Sequence, residues 1–402
     1  MQQMFERVVR DGITSTPVGR QRRPPASDSF PSSHDSTARR AADSAAATRP
    51  IPSIQVLRAL AALAVIYTHI RYDFRIKFGV ADFPTSLGPL DDGVDMFFVI
   101  SGFIMVYASE RLFQRRGGSR EFLMRRLLRI VPLYWATSLV ALAYILVRQR
   151  PEDLMPTDVF YKWSAASFLF LPYPRTNGEL SPLNGVGWTL EYEMFFYAVF
   201  AAAVWLSRRG AVAAITLLFA ALILVGLRFG PLPTSFAVWC DPLILEFVFG
   251  MLIAVAFRDG VRLPSWLARG IVLAGLAGFL LAAHFGFEAS RALQAGLPSG
   301  LVVAGLTLSA ASPGAQSAGI VTRAFCFLGE ASYSIYLVHP FALTAPRLLH
   351  FGLSGNEIAP PAQPWLYASL QLVAALAAGV IVHVGIERPI TRALRRVPKP
   401  AS

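Results

Sequence analysis

Charge is scarce in this chain. Asp, Glu, Lys and Arg make up only 15% of its 402 residues, and hydrophobic residues make up 54%. A soluble domain carries about 25% charged residues, so a water-soluble fold of this length is excluded. Cysteine is nearly missing as well. Cys240 and Cys326 each lie in an apolar run without metal-ligand spacing, which leaves neither a disulfide framework nor a zinc site. There is no glycine-rich phosphate loop and no metal-binding histidine pair, so nucleoside triphosphate hydrolysis and metal chemistry lack a motif, and no metal is expected. The two halves share no repeated motif. That removes the inverted repeats on which a secondary-transporter reading would lean.

What the chain does have is a succession of apolar runs near the length needed to cross a bilayer. They lie at 54–72, 94–108, 127–147, 186–206, 211–227, 236–257, 267–285, 293–310, 325–348 and 365–386. The net charge of +12 comes from short basic segments between these runs. This is the pattern of cytoplasmic loops facing anionic headgroups, and it argues against nucleic acid as a partner. Arg39, Arg40 and Arg49 precede the first run; Arg111, Arg115, Arg116, Arg120, Arg125, Arg126 and Arg129 lie between the second and third. Arg208, Arg209, Arg258, Arg262 and Arg269 follow the fourth and sixth, and Arg388, Arg392, Arg395, Arg396 and Lys399 close the chain. All fall on one side if ten spans alternate. The expected fold is therefore all-α: a polytopic membrane protein, a bundle of about ten transmembrane helices with both termini cytoplasmic. Residues 1–50 read as a disordered basic cytoplasmic tail, 51–390 as the transmembrane domain and 391–402 as a second short tail. The opposite loops carry Asp73, Asp82, Asp91 and Asp92 or are long and proline-rich, as from Arg150 to Leu183. Within the last of these, Phe168-Leu-Phe-Leu-Pro-Tyr-Pro is apolar but too short to span, and fits an interfacial or re-entrant segment.

The first apolar run contains Arg58 and His69, polar residues where hydrocarbon normally admits none. Eleven helical steps bring His69 to within roughly 20° of the direction of Arg58 and about 16 Å along the axis. Intramembrane polar groups face a protein interior or a wet cavity and read by default as functional. The competing reading has Arg58 snorkelling to headgroups and His69 at the far interface. Glu193, in Trp188-Thr-Leu-Glu-Tyr-Glu193, enters the fourth run at a depth comparable to His69, which suggests a base and an orienting carboxylate. Glu191 points elsewhere, about 200° away. Ser332, Tyr333, Tyr336 and His339 form a partly helical-period polar stripe suited to a substrate or a water path, or to a packed helix contact. Arg126 and Arg129 sit where guanidinium forks can hold the phosphates of a cytoplasmic donor, although positive-inside topology accounts for them equally. Ser101-Gly102 reads as a close-packing site, and His284, His350 and His383 as interfacial.

Six stretches together resemble the membrane-bound acyltransferase family 3, particularly its exopolysaccharide O-acetyltransferases. They are Arg58 with His69; Gly93-Val-Asp95-Met-Phe-Phe-Val-Ile-Ser101-Gly-Phe; Arg126-Leu-Leu-Arg129-Ile-Val-Pro132; Trp188-Thr-Leu-Glu-Tyr-Glu193; Ser332-Tyr333-Ser-Ile-Tyr336-Leu-Val-His339; and Glu387-Arg-Pro389. The resemblance implies an integral enzyme of a bacterial inner membrane. It would move an acyl group, usually acetyl from cytoplasmic acetyl-CoA, to a hydroxyl of an exported polysaccharide or its lipid-linked precursor. It implies His69 as the leading catalytic residue; Glu193, on a motif position of its own, joins it as the second catalytic candidate on the strength of its depth. Arg58, Arg126 and Arg129 would engage the donor, and His339 also falls on a motif position; Tyr333 and His339 are the substrate-binding candidates from their place in the polar stripe. Some members carry a fused extracytoplasmic hydrolase-like domain; this chain is expected to act without one, alone or with separate polysaccharide assembly proteins. Two other readings keep a place. One is acyl transfer to a small hydrophobic molecule such as a macrolide or a lipid, and the other is a glycan transporter or flippase lined by the same polar residues.

Overall fold

Backbone polar groups in hydrocarbon must be satisfied within their own segment, which favours helix wherever an apolar run is long. The computed structural model describes residues 50–77, 93–148, 151–285, 290–310, 319–344 and 363–395. Among them every apolar run is helical and no β-strand occurs. Asp82, Asp91, Asp92, Arg150, His350, Arg396, Lys399 and the tail before residue 50 lie outside the described residues.

The helices that position the site are α1 (Pro52–Lys77), α2 (Gly93–Ala108), α3 (Gly118–Arg148), α4 (Thr157–Phe168), α5 (Trp188–Ala203) and α6 (Arg208–Phe229). There follow α7 (Leu245–Arg258), α8 (Ser265–Phe285), α9 (Leu297–Leu308), α10 (Ile320–Ala342), α11 (Pro364–Val382) and α12 (Arg388–Arg395). A π turn, His383–Glu387, joins α11 to α12. Among the described residues, six helical stretches are long and apolar enough to cross a membrane: 52–76, 118–148, 208–229, 234–258, 265–285 and 364–393. Gly93–Ala108 and Ala292–Leu308 are apolar but shorter.

Two close crossings set the centre of the bundle, α2 on α7 and α1 on α10. Each depends on a glycine. A Cβ on Gly250 would lie 1.9 Å from the Val99 carbonyl oxygen, and one on Gly329 would lie 2.0 Å from that of Gln55. Small residues are what allow backbones in lipid to approach this far. Aromatic rings fill the space alongside, with Phe247 4.2 Å from Phe196 and 4.8 Å from Phe98 between centroids. By contrast, only 22% of the apolar window of α6 and 11% of that of α8 is buried. These helices turn their leucines outward, as a lipid-facing wall does.

The structure revises several expectations. Helix α3 begins at Gly118, so Arg120, Arg125, Arg126 and Arg129 are helical rather than in a loop, and Glu121 pairs with Arg115 and Arg125. Asp73 is not in a loop but inside α1, buried, accepting a hydrogen bond from Gln371 Nε2 at 3.2 Å. The Phe168–Pro174 stretch ends α4 and turns back at Phe170, whose ring packs on Tyr134 with centroids 4.5 Å apart. Asp95 is fully buried and forms a two-pronged pair with Arg291, both contacts 2.8 Å. His383 is buried too, not interfacial, and pairs with Glu387.

Candidate active site

A cavity of about 190 Å³ opens between α1, α2, α3, α5 and α10. Along α2 its wall runs from Val94 to Ile104, about 15 Å of helix. One part of the lining is polar and cationic, holding Arg58, Arg126 and Arg129 against a single carboxylate, Glu193. Three positive charges and one negative leave an excess of two. The other part is apolar or aromatic, with Val94, Phe97, Phe98 and Leu190 beside Tyr336.

Each polar residue is held by a specific neighbour. Glu193 accepts hydrogen bonds from Ser101 Oγ at 2.9 Å and from the Tyr197 hydroxyl. The second of these lies one helical turn further along α5, where i and i+4 side chains meet. Arg126 lies over the rings of Phe122 and Tyr197, 5.6 and 5.8 Å from their centroids, so two aromatic faces hold its guanidinium. Tyr333 donates to the Ile130 carbonyl at 2.6 Å, fixing α10 to the arginine-bearing turn of α3. Tyr336 donates to Val186 O at 2.8 Å, and its hydroxyl is also 2.8 Å from Thr189 Oγ1.

His69 and His339 come together just beyond the cavity lining. Their rings meet edge to face at 4.7 Å, and Tyr336, on the cavity wall, lies 6.0 Å from His339. His69 Nδ1 is 2.9 Å from Val65 O and His339 Nδ1 is 2.7 Å from Tyr336 O. A carbonyl only accepts, so Nδ1 carries the proton in both rings and Nε2 is the basic nitrogen of the neutral form. His339 is fully buried, and its Nε2 has no hydrogen-bond partner among the described residues.

The sequence-predicted residues are thus divided between two neighbouring places. Arg58, Arg126, Arg129, Glu193 and Tyr333 line one cavity, while His69 and His339 form a ring pair next to it. Glu193 does not share the surroundings of His69 that its expected depth implies; it lies among the arginines, bonded to Ser101 and Tyr197. Ser101 does more than allow close packing, which its neighbour Gly102 provides against Phe247. Sequence reasoning missed Tyr197 and Gln55, the latter 3.4 Å from Arg58 Nη1. The i, i+4 relation of Glu193 to Tyr197 was the available signal. Among the described residues no group of His, Cys, Asp and Glu could hold a metal ion.

Residues 51–384 match the family described as the acyltransferase domain Acyl_transf_3. The exopolysaccharide production protein ExoZ of Rhizobium meliloti is 33% identical over 304 residues, covering 75% of this chain and 89% of that protein. The acyltransferase MdmB of Streptomyces mycarofaciens is 28% identical over 385 residues, 86% of this chain and 93% of the relative. The peptidoglycan O-acetyltransferase OatA of Listeria monocytogenes is 30% identical over a shorter stretch, 38% of this chain and 24% of its own length. No solved structure matches. With apolar helices long enough to span a bilayer and a family match across most of its length, the chain belongs to the Acyl_transf_3 acyltransferases as a multi-pass membrane O-acyltransferase.

Proposed function

We propose that the protein takes an acyl group, most simply acetyl, from cytoplasmic acyl-CoA and places it on a hydroxyl of an exported polysaccharide or its lipid-linked precursor. The observation that carries this reading is the cavity itself: a three-arginine end continuous with an apolar end that stops beside the His69–His339 pair. Guanidinium forks suit phosphates. A donor with phosphates at one end and a thioester on a long arm at the other fits a site whose charged and basic ends are separated. The roughly 16 Å between Arg58 and His69 along α1 then becomes a requirement of the donor's length.

In this reading Arg58, Arg126 and Arg129 bind the donor phosphates, and Glu193, fixed by Ser101 and Tyr197, keeps the guanidiniums apart and oriented. His69 Nε2 takes the proton of the acceptor hydroxyl as its oxygen attacks the thioester carbonyl. The carbon–sulfur bond breaks, and the coenzyme A thiolate leaves and recovers a proton from the imidazolium. His339 packs against the His69 ring and limits its rotation, and Tyr333 and Tyr336 form the wall along which the arm lies. Ten spans, with both termini and the basic segments in the cytoplasm of a bacterium, put the arginine end on the donor's side of the inner membrane. Assembly proteins for the polysaccharide are the natural partners.

The glycan acceptor is favoured by the relatives, since one is named for exopolysaccharide production and another for peptidoglycan O-acetylation. The apolar part of the cavity wall, with Val94, Phe97 and Phe98, keeps a small hydrophobic acceptor as the second reading. Deleting the protein in its host and analysing the glycan decides between them. Loss of glycan O-acetyl groups, restored by wild type and not by His69→Ala, is expected; unchanged glycan acetylation would overturn the glycan assignment.

A further inference from the structure

A second polar cluster lies outside the cavity, where α11 passes into α12. The π turn there shifts the helical register by an extra residue, and such turns occur preferentially at functional positions. His383 and Glu387 both end up inside, 4% and 9% exposed. Glu387 Oε2 accepts from Ser334 Oγ at 2.6 Å and from His383 Nδ1 at 2.7 Å. Ser334 is fully buried on α10, next to Tyr333 of the cavity wall. His383 Nε2 is buried with no hydrogen-bond partner among the described residues. A second proton on that ring would be buried unpaired, so the pattern fits a neutral imidazole and an ionised carboxylate. A buried charge is costly unless opposite charge answers it. The turn packs against α3, which carries Arg126 and Arg129, and against α10. The carboxylates whose charge reaches the Arg58 guanidinium include Glu387 and Glu193.

We propose that Glu387, clamped by Ser334 and His383, is a positioning residue whose charge, set behind the cavity wall, limits how tightly the arginine cluster holds its anionic donor. The inference rests on the reading of the cavity as the donor site. Donor and spent coenzyme A carry the same phosphates, so a site that binds them too strongly gains nothing for the chemical step and retains its product. Glu193 offsets one of the three arginine charges from inside, and Glu387 offsets a second from outside without occupying space the donor needs.

The test is binding of coenzyme A to the full chain in detergent micelles at low ionic strength. Glu387→Gln keeps the shape and removes the charge. It is expected to bind coenzyme A on the order of three- to tenfold more tightly, with KM and kcat of acyl transfer falling together. Glu387→Asp, which keeps the charge, is expected to restore wild-type affinity. A merely structural role gives weaker or unchanged binding, so an unchanged or raised Kd in folded Glu387→Gln overturns the proposal. Where that variant does not fold, Ser334→Ala removes one of the two donors that stabilise the carboxylate. It is expected to shift Kd in the same direction by less, and no shift also overturns the proposal. Inorganic pyrophosphate serves as a second probe. If it binds wild type and coenzyme A does not, the donor reading fails while the pyrophosphate affinities of the variants still decide the role of Glu387. If neither binds, both fail.

Discussion

Replacing Arg126 by lysine keeps a positive charge in the cavity and removes everything else the guanidinium does there. In the structure it lies over Phe122 and Tyr197 at 5.6 and 5.8 Å, and it lines the cavity beside Arg58 and Arg129. Each aromatic face contributes roughly 0.5–1 kcal/mol, more when desolvated, and a lysine cannot present the fork that grips a phosphate bidentately. Together these amount to roughly 2 kcal/mol of donor binding, or about thirtyfold in KM. In the proposed mechanism the hydroxyl attack takes place at the other end of the cavity, so kcat is expected to change little, the pattern of lost ground-state binding. The assay is acyl transfer by purified protein in liposomes, run with acetyl-CoA and, in parallel, with a short acetyl thioester that has no phosphates. Arg126→Lys is expected to impair the first and leave the second as in wild type. An unchanged KM for acetyl-CoA, or equal impairment with both donors, would refute the assignment of this arginine to the phosphates.

Three further outcomes follow from the packing and the site. Gly250→Ala places a Cβ 1.9 Å from Val99 O and forces α2 and α7 apart, costing at least about 1–3 kcal/mol. Thermal unfolding in detergent is expected to show this, while Gly270→Ala, with nothing within 4 Å of its Cβ, is expected to be silent. Arg291→Ala takes the two-pronged partner from the fully buried Asp95. Its cost is expected to be about 2 kcal/mol, below the roughly 3–5 kcal/mol of fully buried pairs because the arginine is 45% exposed. The double variant Arg291→Ala with Asp95→Asn is expected to recover part of that loss in the same melts. Glu193→Gln keeps both hydrogen bonds to one oxygen but leaves the three arginines with no carboxylate in the cavity lining. Its affinity for coenzyme A is expected to rise and its transfer rate to fall; a weaker Kd would show that Glu193 does not balance the arginine charge.

Much of this architecture is legible in the sequence because lipid imposes strong local rules. Apolar runs of bilayer length become helices, and Arg58 is conspicuous because charges are rare inside such runs. Helical periodicity also places Tyr333 and Tyr336 on a common wall. What periodicity does not carry is the partner across the bundle. Ser101 and Glu193 are 92 residues apart, and Asp95 and Arg291 are 196 apart. The surroundings of Glu193 are hidden for the same reason, since Ser101 and the three arginines around it lie on other helices. His383 reads as interfacial because the π turn that buries it leaves no mark in a pattern of period 3.6. Where α3 begins is also hidden, since its first turns are basic and helical at once and charge alone reads as loop.

The measurement that tests the central claim most directly is transfer of labelled acetyl from acetyl-CoA to the host's own glycan by the purified protein in liposomes, comparing wild type with His69→Ala. The account expects label in the glycan with wild type, none with the variant, and equal coenzyme A binding by both, because the arginines that hold the phosphates are untouched. Full transfer by a correctly folded His69→Ala protein would contradict the role of His69. Failure of wild type to bind or consume acetyl-CoA, beside an active control, would contradict the donor cavity itself.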